Sequence, residues 1–497
     1  MKNIKVTLLY PPHQSWSDSM CKPNGSLAYP NIGGALRDMG VQVDIYDACV
    51  GNQKDNLDEV FYKSVELETG LLRTGVSEAR ILEEVTDSDL VGLTSIFSDQ
   101  ETMVLRCARL IKEEFPDKLI VAGGVNARSR RHHFFKSGID IICLSEAEQT
   151  IQKIVRAMQL KSNDFSDISA IAYQKDGQIK VNPTRPDEII WDLDELPMPA
   201  WDLLPNERYW TVGRPHGGHF DHGETLRYAS MMTSMGCVFA CKFCHIAGET
   251  EDGDSGAIGR FRIKSDERVI AEIETLKELG VRQLFLEDDS LFGRKKRMIR
   301  ILKKIKGLGF DILDVNGVNI VHLLKNYQTD MEVLEGLVDA GFKELSLPFE
   351  SGNPRIIRKY ANNKWDVERT DIVELIKLYN KHGITIAGNY MLGFPDETRE
   401  EIQETIDMAK KHMDAGLDSA NIFLVLPLPG TPLFDTATEG GYLPEDFNID
   451  RMHWLKANMI NTAIPADELE RIRGETWKEL NDTSYVNYKM EMKAKTD

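Results

Sequence analysis

Cys237, Cys241 and Cys244 fall within eight residues of one another in the stretch MGCVFACKFCH, 235–245. Thiolates are soft ligands, and three of them, with three and then two intervening residues, can converge from one loop on a single iron–sulfur cluster. The other four of the seven cysteines, Cys21, Cys49, Cys107 and Cys143, stand far away in sequence. With only three thiolates, a cubane cluster keeps one iron open to an outside ligand, which suits catalysis better than outer-sphere electron transfer.

Three other readings compete for the same residues. Cys241 to His245 matches the C-x-x-C-H haem attachment pattern, but covalent haem normally requires export and no export signal precedes it. Zinc could take three Cys and His245, yet adjacent Cys244 and His245 rarely reach one tetrahedral ion together, and a second ligand pair is missing. Inert core cysteines are the last alternative, and three of seven within so short a stretch argues against it.

Cys237, Cys241, Phe243 and Cys244 together resemble the C-x-x-x-C-x-aromatic-C signature of the radical S-adenosylmethionine (SAM) enzymes. In that family the open iron chelates the amino and carboxylate groups of SAM. Four later segments resemble the family in its own order: Glu287-Asp288-Asp289, Phe349-Glu350-Ser351-Gly352, Gly393 to Thr398 (GFPDET) and Leu426 to Thr431 (LPLPGT). The resemblance implies that Phe243, Asp288, Glu350, Ser351 and Leu426 contact SAM.

The elements that must position these residues follow from hydrophobic pattern. From Ser230 onward, strands at Ser230–Thr233, Gln283–Leu286, Ile312–Asn316, Glu344–Pro348, Thr385–Leu392 and Ser419–Val425 alternate with helices, among them Asp266–Leu279, Asp366–His382 and Arg399–Ala415. Six such units predict a partial (β/α)6 barrel with reactive groups at strand carboxyl ends. Ala466 to Leu480 reads as an amphipathic helix covering one open side, and the tail 489–497 as frayed.

The first part of the chain has its own alternation. Strands at Ile4–Tyr10, Val41–Tyr46, Leu90–Thr94, Leu119–Val121 and Ile139–Leu144, with helices at Asn31–Met39, Glu101–Glu114 and Gln149–Leu160, predict a doubly wound parallel sheet. Ligands in such sheets lie beyond the strand carboxyl ends, at loops 11–13, 95–100, 123–127 and 145–148. Gly123-Gly124 lets backbone approach a bulky ligand. Ile168–Tyr173 and Ile179–Val181 read as a hairpin about Asp176-Gly177.

Tyr10-Pro11-Pro12, Val91 to Ser95, Gly123 to Ala127 and Ser145 to Glu148 are similar to the cobalamin-binding domain found ahead of many radical SAM cores. That likeness implies cobalamin contacts from Pro12, Ser95, Phe97, Gln100, Gly123, Gly124, Val125, Asn126 and Glu146. It departs at Asn126, where the family often has His, and at Ser145 to Glu148, where it often has Gly-Glu-Gly-Glu. The Asp-x-His-x-x-Gly motif that supplies a lower cobalt ligand in cobalamin mutases is absent, so no protein histidine from that motif is expected on cobalt.

The expected fold is therefore α/β: a Rossmann-like cobalamin-binding domain over 1–190, a Pro- and aromatic-rich linker over 191–227, a radical SAM core over 228–434 and a mainly helical C-terminal region over 435–497. Within the linker, 213–222 (GRPHGGHFDH) reads as a mobile surface loop or a lid.

The formal charge of −19 over 497 residues argues against nucleic acid or anionic membrane as a partner. Apolar runs are too short for a membrane span and the scattered cysteines show no disulfide framework, which places the protein in the cytoplasm. The family resemblance implies a [4Fe-4S] cluster, SAM and cobalamin as cofactors, a small-molecule substrate, and an external electron donor such as flavodoxin or ferredoxin. It implies a methyltransferase that passes a methyl group from SAM through methylcobalamin to a non-nucleophilic carbon or a phosphinate phosphorus. Thr94 to Gln100 and Asp288-Asp289 also resemble hydroxyethylphosphonate methylases. The alternatives are a non-methylating enzyme of the same assembly, such as an oxidative cyclase or ring-contracting enzyme, and a cobalamin- or redox-responsive sensor.

Overall fold

The computed structural model describes residues 3–16, 21–23, 25–162, 164–213, 215, 227–250 and 253–481. The expected lid over 213–222 lies outside the described residues apart from Gly213 and Pro215, as does the tail 489–497. The described residues divide into two compact units, one of residues up to 215 with 249–258, the other of residues 227–248 with 259–481. Both are α/β. No described helix is long and apolar enough to cross a membrane.

The first unit is a seven-stranded sheet. Its strands are β1 (Lys5–Tyr10), β2 (Gln42–Asp47), β3 (Leu90–Thr94), β4 (Leu119–Gly123), β5 (Ile141–Cys143), β6 (Ile171–Lys175) and β7 (Gln178–Asn182), in spatial order β7-β6-β5-β4-β3-β1-β2. β1 to β5 are parallel; β6 and β7 add an antiparallel hairpin. The parallel strands are apolar on both faces because both faces are covered. Val6, Leu8, Leu90, Val121 and Ile141 fill one core with α1 (Ala28–Asp38) and α3 (Ala147–Gln159). Leu9, Val91, Leu93, Ile120 and Ile142 fill the other with α2 (Glu101–Glu114). The chain steps outward from β1 to β2, then back across β1 to β3. The order therefore reverses between β1 and β3, the place beyond whose carboxyl ends such sheets hold their ligands.

The second unit is a six-stranded, wholly parallel sheet in sequential order: β8 (Tyr228–Met231), β9 (Gln283–Leu286), β10 (Asp311–Asp314), β11 (Phe342–Glu350), β12 (Thr385–Leu392) and β13 (Ser419–Leu424). Side-chain caps decide where its helices begin. Ser265 caps α4 (Asp266–Glu278), Asp330 caps α5 (Met331–Ala340) and Asn353 caps α6 (Pro354–Tyr360). Asp371 caps α7 (Ile372–Lys381), and Thr398 with Glu401 forms a capping box on α8 (Arg399–Asp414). The helix expected from Asp366 therefore starts at Ile372, because the Asp371 carboxylate takes the Glu374 N–H instead of letting the turn continue backward.

β13 is an edge strand, and an exposed edge invites pairing with other chains. The Asn481 side chain, just past α9 (Ala466–Leu480), covers part of it. Its Oδ1 accepts from Ala420 N at 3.1 Å and its Nδ2 donates to Ala420 O at 3.0 Å, with Asn481 4% exposed. Asn481→Ala should cost about 1–3 kcal/mol, the penalty for leaving buried backbone groups unpaired, read as a lower urea midpoint by tryptophan fluorescence.

Candidate functional site

The cysteine loop leaves β8 through Thr233 and Ser234, and both are tied down. Asp288, just past β9, accepts the Thr233 N–H at 2.9 and 3.1 Å and the hydroxyls of Thr233 and Ser234. Arg297 donates to Thr233 O at 2.9 Å and to Lys264 O at 2.9 Å. Gly236 follows at φ +74°, where a Cβ would stand 2.5 Å from the carbonyl oxygens of Gly259 and Arg260. Only glycine admits so close a backbone crossing. Further along, Cys237 N donates to Gly259 O, Lys242 N to Tyr360 O and Leu433 N to Lys242 O. Phe243 packs into a cluster with Phe394, Tyr360 and Leu433.

Cys237, Cys241 and Cys244 are each partly exposed on this fixed loop. Burial pushes Cys241 up to about 11 and Cys244 to about 12, and raises Cys237; the neighbouring thiols add to the shifts of Cys241 and Cys244. Among the described residues, no three His, Cys, Asp or Glu side chains close on one metal ion. A polynuclear cluster takes each thiolate on a different iron, so its ligands stand further apart than those of one ion. Three accessible soft donors on one rigid loop fit such a cluster.

A buried ion pair stands near the thiols. Lys364 Nζ lies 2.6 Å from Glu350 Oε1, with side-chain exposures of 5% and 8%. Burial opposes the ammonium, but Glu350, then Cys241 and Cys237, outweigh it and hold Lys364 above the usual lysine range. Trp365 Nε1 donates to Phe349 O at 3.1 Å, which fixes the backbone beside the pair. Glu350 itself sits at φ +61°, an uncommon conformation for a side chain with a Cβ, at a register shift in the β11–β12 ladder.

The other residues expected around SAM divide by what their polar atoms already do. Asp288 is fully buried and occupied by Thr233 and Ser234, so it shapes the loop; the adjacent Glu287 is partly exposed, with Ser230 donating to it and burial raising it to about 7. Ser351 is turned inward, its hydroxyl bonded to Thr405 Oγ1 at 3.0 Å and accepting from Asn353 N. Phe243 works as a packing anchor, whereas Leu426 is partly exposed. Glu397 of the GFPDET turn accepts from Gly393 N and Phe394 N, which makes that segment a self-closed turn.

A polar ladder went unread in the sequence. Asn421 Nδ2 donates to Asn389 Oδ1 at 3.0 Å, and Asn389 Nδ2 to Ser346 Oγ at 2.8 Å, across β13, β12 and β11. Asn389 is partly exposed. Isolated polar residues inside otherwise apolar strands were the available signal.

In the first unit, Ser95, Asn126, Glu101 and Arg130 form one node. Asn126 Nδ2 donates to Ser95 Oγ at 3.0 Å and Glu101 Oε2 at 3.1 Å; Arg130 Nε lies 2.6 Å from Glu101 Oε2. Asn126 is fully buried and its Oδ1 has no partner among the described residues. Glu101 and Arg130 were not foreseen. The two glycines have different tasks: a Cβ on Gly124, at φ +98°, would meet Ser95 O at 2.4 Å, while one on Gly123 would meet nothing within 4 Å. Gly124 thus locks the loops together, and Gly123 leaves the open approach. Phe97 and Val125 are partly exposed; Pro12 is buried; Gln100 is spent on Gln14 N and O, both at 2.8 Å. Glu146 lines a small cavity with Thr150, Lys153 and Thr184, apart from this node. Gly123, the exposed flank at Phe97 and Val125, and the orphan Asn126 Oδ1 fit a large ligand at the end of β4.

Residues 231–409 match the radical SAM superfamily model, so the chain carries a radical SAM domain. The uncharacterized methyltransferase PH0819 of Pyrococcus horikoshii is 28% identical over 422 residues, spanning 84% of this chain and 82% of that protein. The cytidylyl-2-hydroxyethylphosphonate methyltransferase of Streptomyces wedmorensis is 24% identical over 495 residues, spanning 92% and 86%. Among solved structures, the radical SAM methyltransferase TsrM of Kitasatospora setae, with cobalamin and a [4Fe-4S] cluster bound, superposes with a TM-score of 0.64 at 17% identity, covering 88% of this chain and 78% of that one. The resemblance drawn from the cysteine loop holds, and the α/β fold is shared.

Two substitutions separate the roles of loop and ion pair. Cys241→Ala should lose bound iron after anaerobic reconstitution while keeping its far-UV circular dichroism. Lys364→Met should cost about 3–5 kcal/mol in urea unfolding, since it strands a buried carboxylate, and the double variant with Glu350→Gln should recover most of the loss.

Proposed function

We propose that the protein is a cobalamin-dependent radical SAM methyltransferase, moving a methyl group from SAM by way of methylcobalamin to a non-nucleophilic carbon, or a phosphinate phosphorus, of a small molecule. The observation that carries this reading is the Cys237 to Cys244 loop, three thiols held rigid at the carboxyl end of the first strand of a sequential parallel sheet. The methyltransferase names of relatives aligned over most of both chains support the same reaction. In this reading the second unit is an open (β/α)6 barrel and the first a Rossmann-like cobalamin domain, with an external flavodoxin or ferredoxin supplying electrons.

The cluster and cobalamin, when bound, supply reductive cleavage of SAM and carriage of the methyl group. The chain's own residues do the positioning. Cys237, Cys241 and Cys244 would ligate the cluster. Glu287, partly exposed and beside Ser230, would accept the SAM ammonium; Asn389, oriented by Ser346 and Asn421, would meet its hydroxyl groups. Lys364, paired with Glu350, would place a positive charge beside the thiols that hold the cluster. In the first unit Gly123 would let cobalamin approach the backbone, and Asn126 keeps the loops after β3 and β4 in register. The Asp-x-His-x-x-Gly motif is absent from the sequence, so no histidine of that motif would be among the residues holding cobalamin.

The reading can be tested before the substrate is known. Anaerobic, cluster-loaded protein with cobalamin, a low-potential reductant and methyl-labelled SAM should form protein-bound labelled methylcobalamin, with one S-adenosylhomocysteine per methyl group and a slower release of 5′-deoxyadenosine. Protein that retains no cobalamin, or that releases deoxyadenosine without labelling cobalamin, would exclude methyl transfer and favour other radical chemistry.

A further inference from the structure

Cys21 and Cys49 lie 28 residues apart in sequence, yet their Sγ atoms stand 3.8 Å apart in the first unit. Both are buried, at 3% and 0% exposure. A disulfide needs about 2.0 Å, so closing the bond asks for roughly 1.8 Å of sulfur movement, within reach of a side-chain rotation. His13 stands beside Cys21, its Nδ1 shielded from water and otherwise without a hydrogen-bond partner among the described residues, while the residue as a whole is partly exposed. We propose that Cys21 and Cys49 form a thiol–disulfide exchange site, at which Cys21 attacks a low-molecular-weight disulfide and Cys49 resolves the product.

His13 stands on the Cys21 side of the pair, so Cys21 is the thiol with a base in reach. The hydrogen bond from Cys49, helped by His13, brings Cys21 well below the usual thiol range against the effect of burial. The same hydrogen bond, with burial, holds Cys49 well above it. Burial works against charge on His13, but Cys21 outweighs it and raises the imidazole. The thiol beside the imidazole is the attacking partner, and the second thiol in reach is the resolving one. Cys107 and Cys143 make the contrast: each is buried, pushed up to about 12 by that burial, and has no thiol or imidazole acting on it among the described residues.

The exchange balances without a metal or a further reductant. Cys21 thiolate attacks one sulfur of the disulfide RSSR, forming the Cys21–SR bond and releasing RS⁻, which takes a proton. Cys49 gives up its proton, attacks Cys21 Sγ and displaces the second RS⁻. The protein dithiol loses two electrons and two protons, and RSSR becomes two RSH. Cys49 is well placed for the second step, because its N–H donates to Asp47 Oδ1 at 2.8 Å and Tyr209 holds the other carboxylate oxygen at 2.8 Å. The bond would tie residue 21 to the end of β2. It would also tie it toward the strand His13–Ser15, whose Gln14 is bonded to Gln100 in the loop after β3.

The test uses full-length, cluster-loaded protein held anaerobically in glutathione buffers of rising oxidised fraction, then acid-quenched, alkylated and mapped by peptide mass spectrometry. A Cys21–Cys49 linked peptide should rise with the oxidised fraction while Cys107 and Cys143 stay free. Cys49→Ser should arrest Cys21 as its mixed disulfide with glutathione, and His13→Gln should slow linking by about 10-fold. Free, alkylated Cys21 and Cys49 at every ratio, or linking only after unfolding in urea, would overturn the assignment.

Discussion

The Asp288 carboxylate, fully buried, accepts the Thr233 N–H at 2.9 and 3.1 Å together with the hydroxyls of Thr233 and Ser234, and Arg297 holds Thr233 O from the other side at 2.9 Å. Burying a carboxylate is costly unless several donors reach it, and here three do, the Thr233 N–H and the two hydroxyls. What this secures is the direction in which the chain leaves β8. Three thiols can serve one cluster only if they are held to within about 0.5 Å, and a loop achieves this only when its root is rigid. The Gly236 crossing, the Tyr360 and Leu433 backbone bonds and the Phe243 anchor all act downstream of that root.

The same division between fixed frame and open approach recurs in the first unit. Glu101, 3% exposed, gathers Asn126 and Arg130, and Asn126 reaches Ser95 in turn, so the loops after β3 and β4 cannot move independently. Gly124 closes the joint against Ser95, leaving Gly123 as the position with space before it. In both units residues nearest the expected ligands in sequence are partly spent on rigidity, and the more open ones stand one place away: the partly exposed Glu287 beside Asp288, and Gly123, with space before it, beside Gly124.

Much of the fold was legible because parallel strands covered on both faces read as short apolar runs, and the helices between them carry apolar residues at helical spacing. Leu90–Thr94, Glu101–Glu114, Gln283–Leu286, Thr385–Leu392 and Ala466–Leu480 have the bounds that pattern predicts. Shorter helices such as Arg131–Lys136 and Pro354–Tyr360 escaped, since two turns give too few repeats to reveal a period. Boundaries moved where a cap outcompeted periodicity, as Asp371 does at the start of α7.

By itself the sequence determined the three-thiol spacing and hence the chemistry of the cysteine loop, because those ligands are local and their geometry is carried by a few consecutive residues. It also determined the alternating α/β architecture, through hydrophobic period. Only tertiary structure decided which polar groups remain free to act. Asp288 and Ser351 resemble ligand contacts in sequence, yet their hydrogen bonds are taken by Thr233, Ser234, Thr405 and Asn353. Lys364 with Glu350, Asn421 with Asn389, and Cys21 with Cys49 are partners from separate elements. Their meeting depends on strand order and on packing between distant segments, which no local spacing encodes.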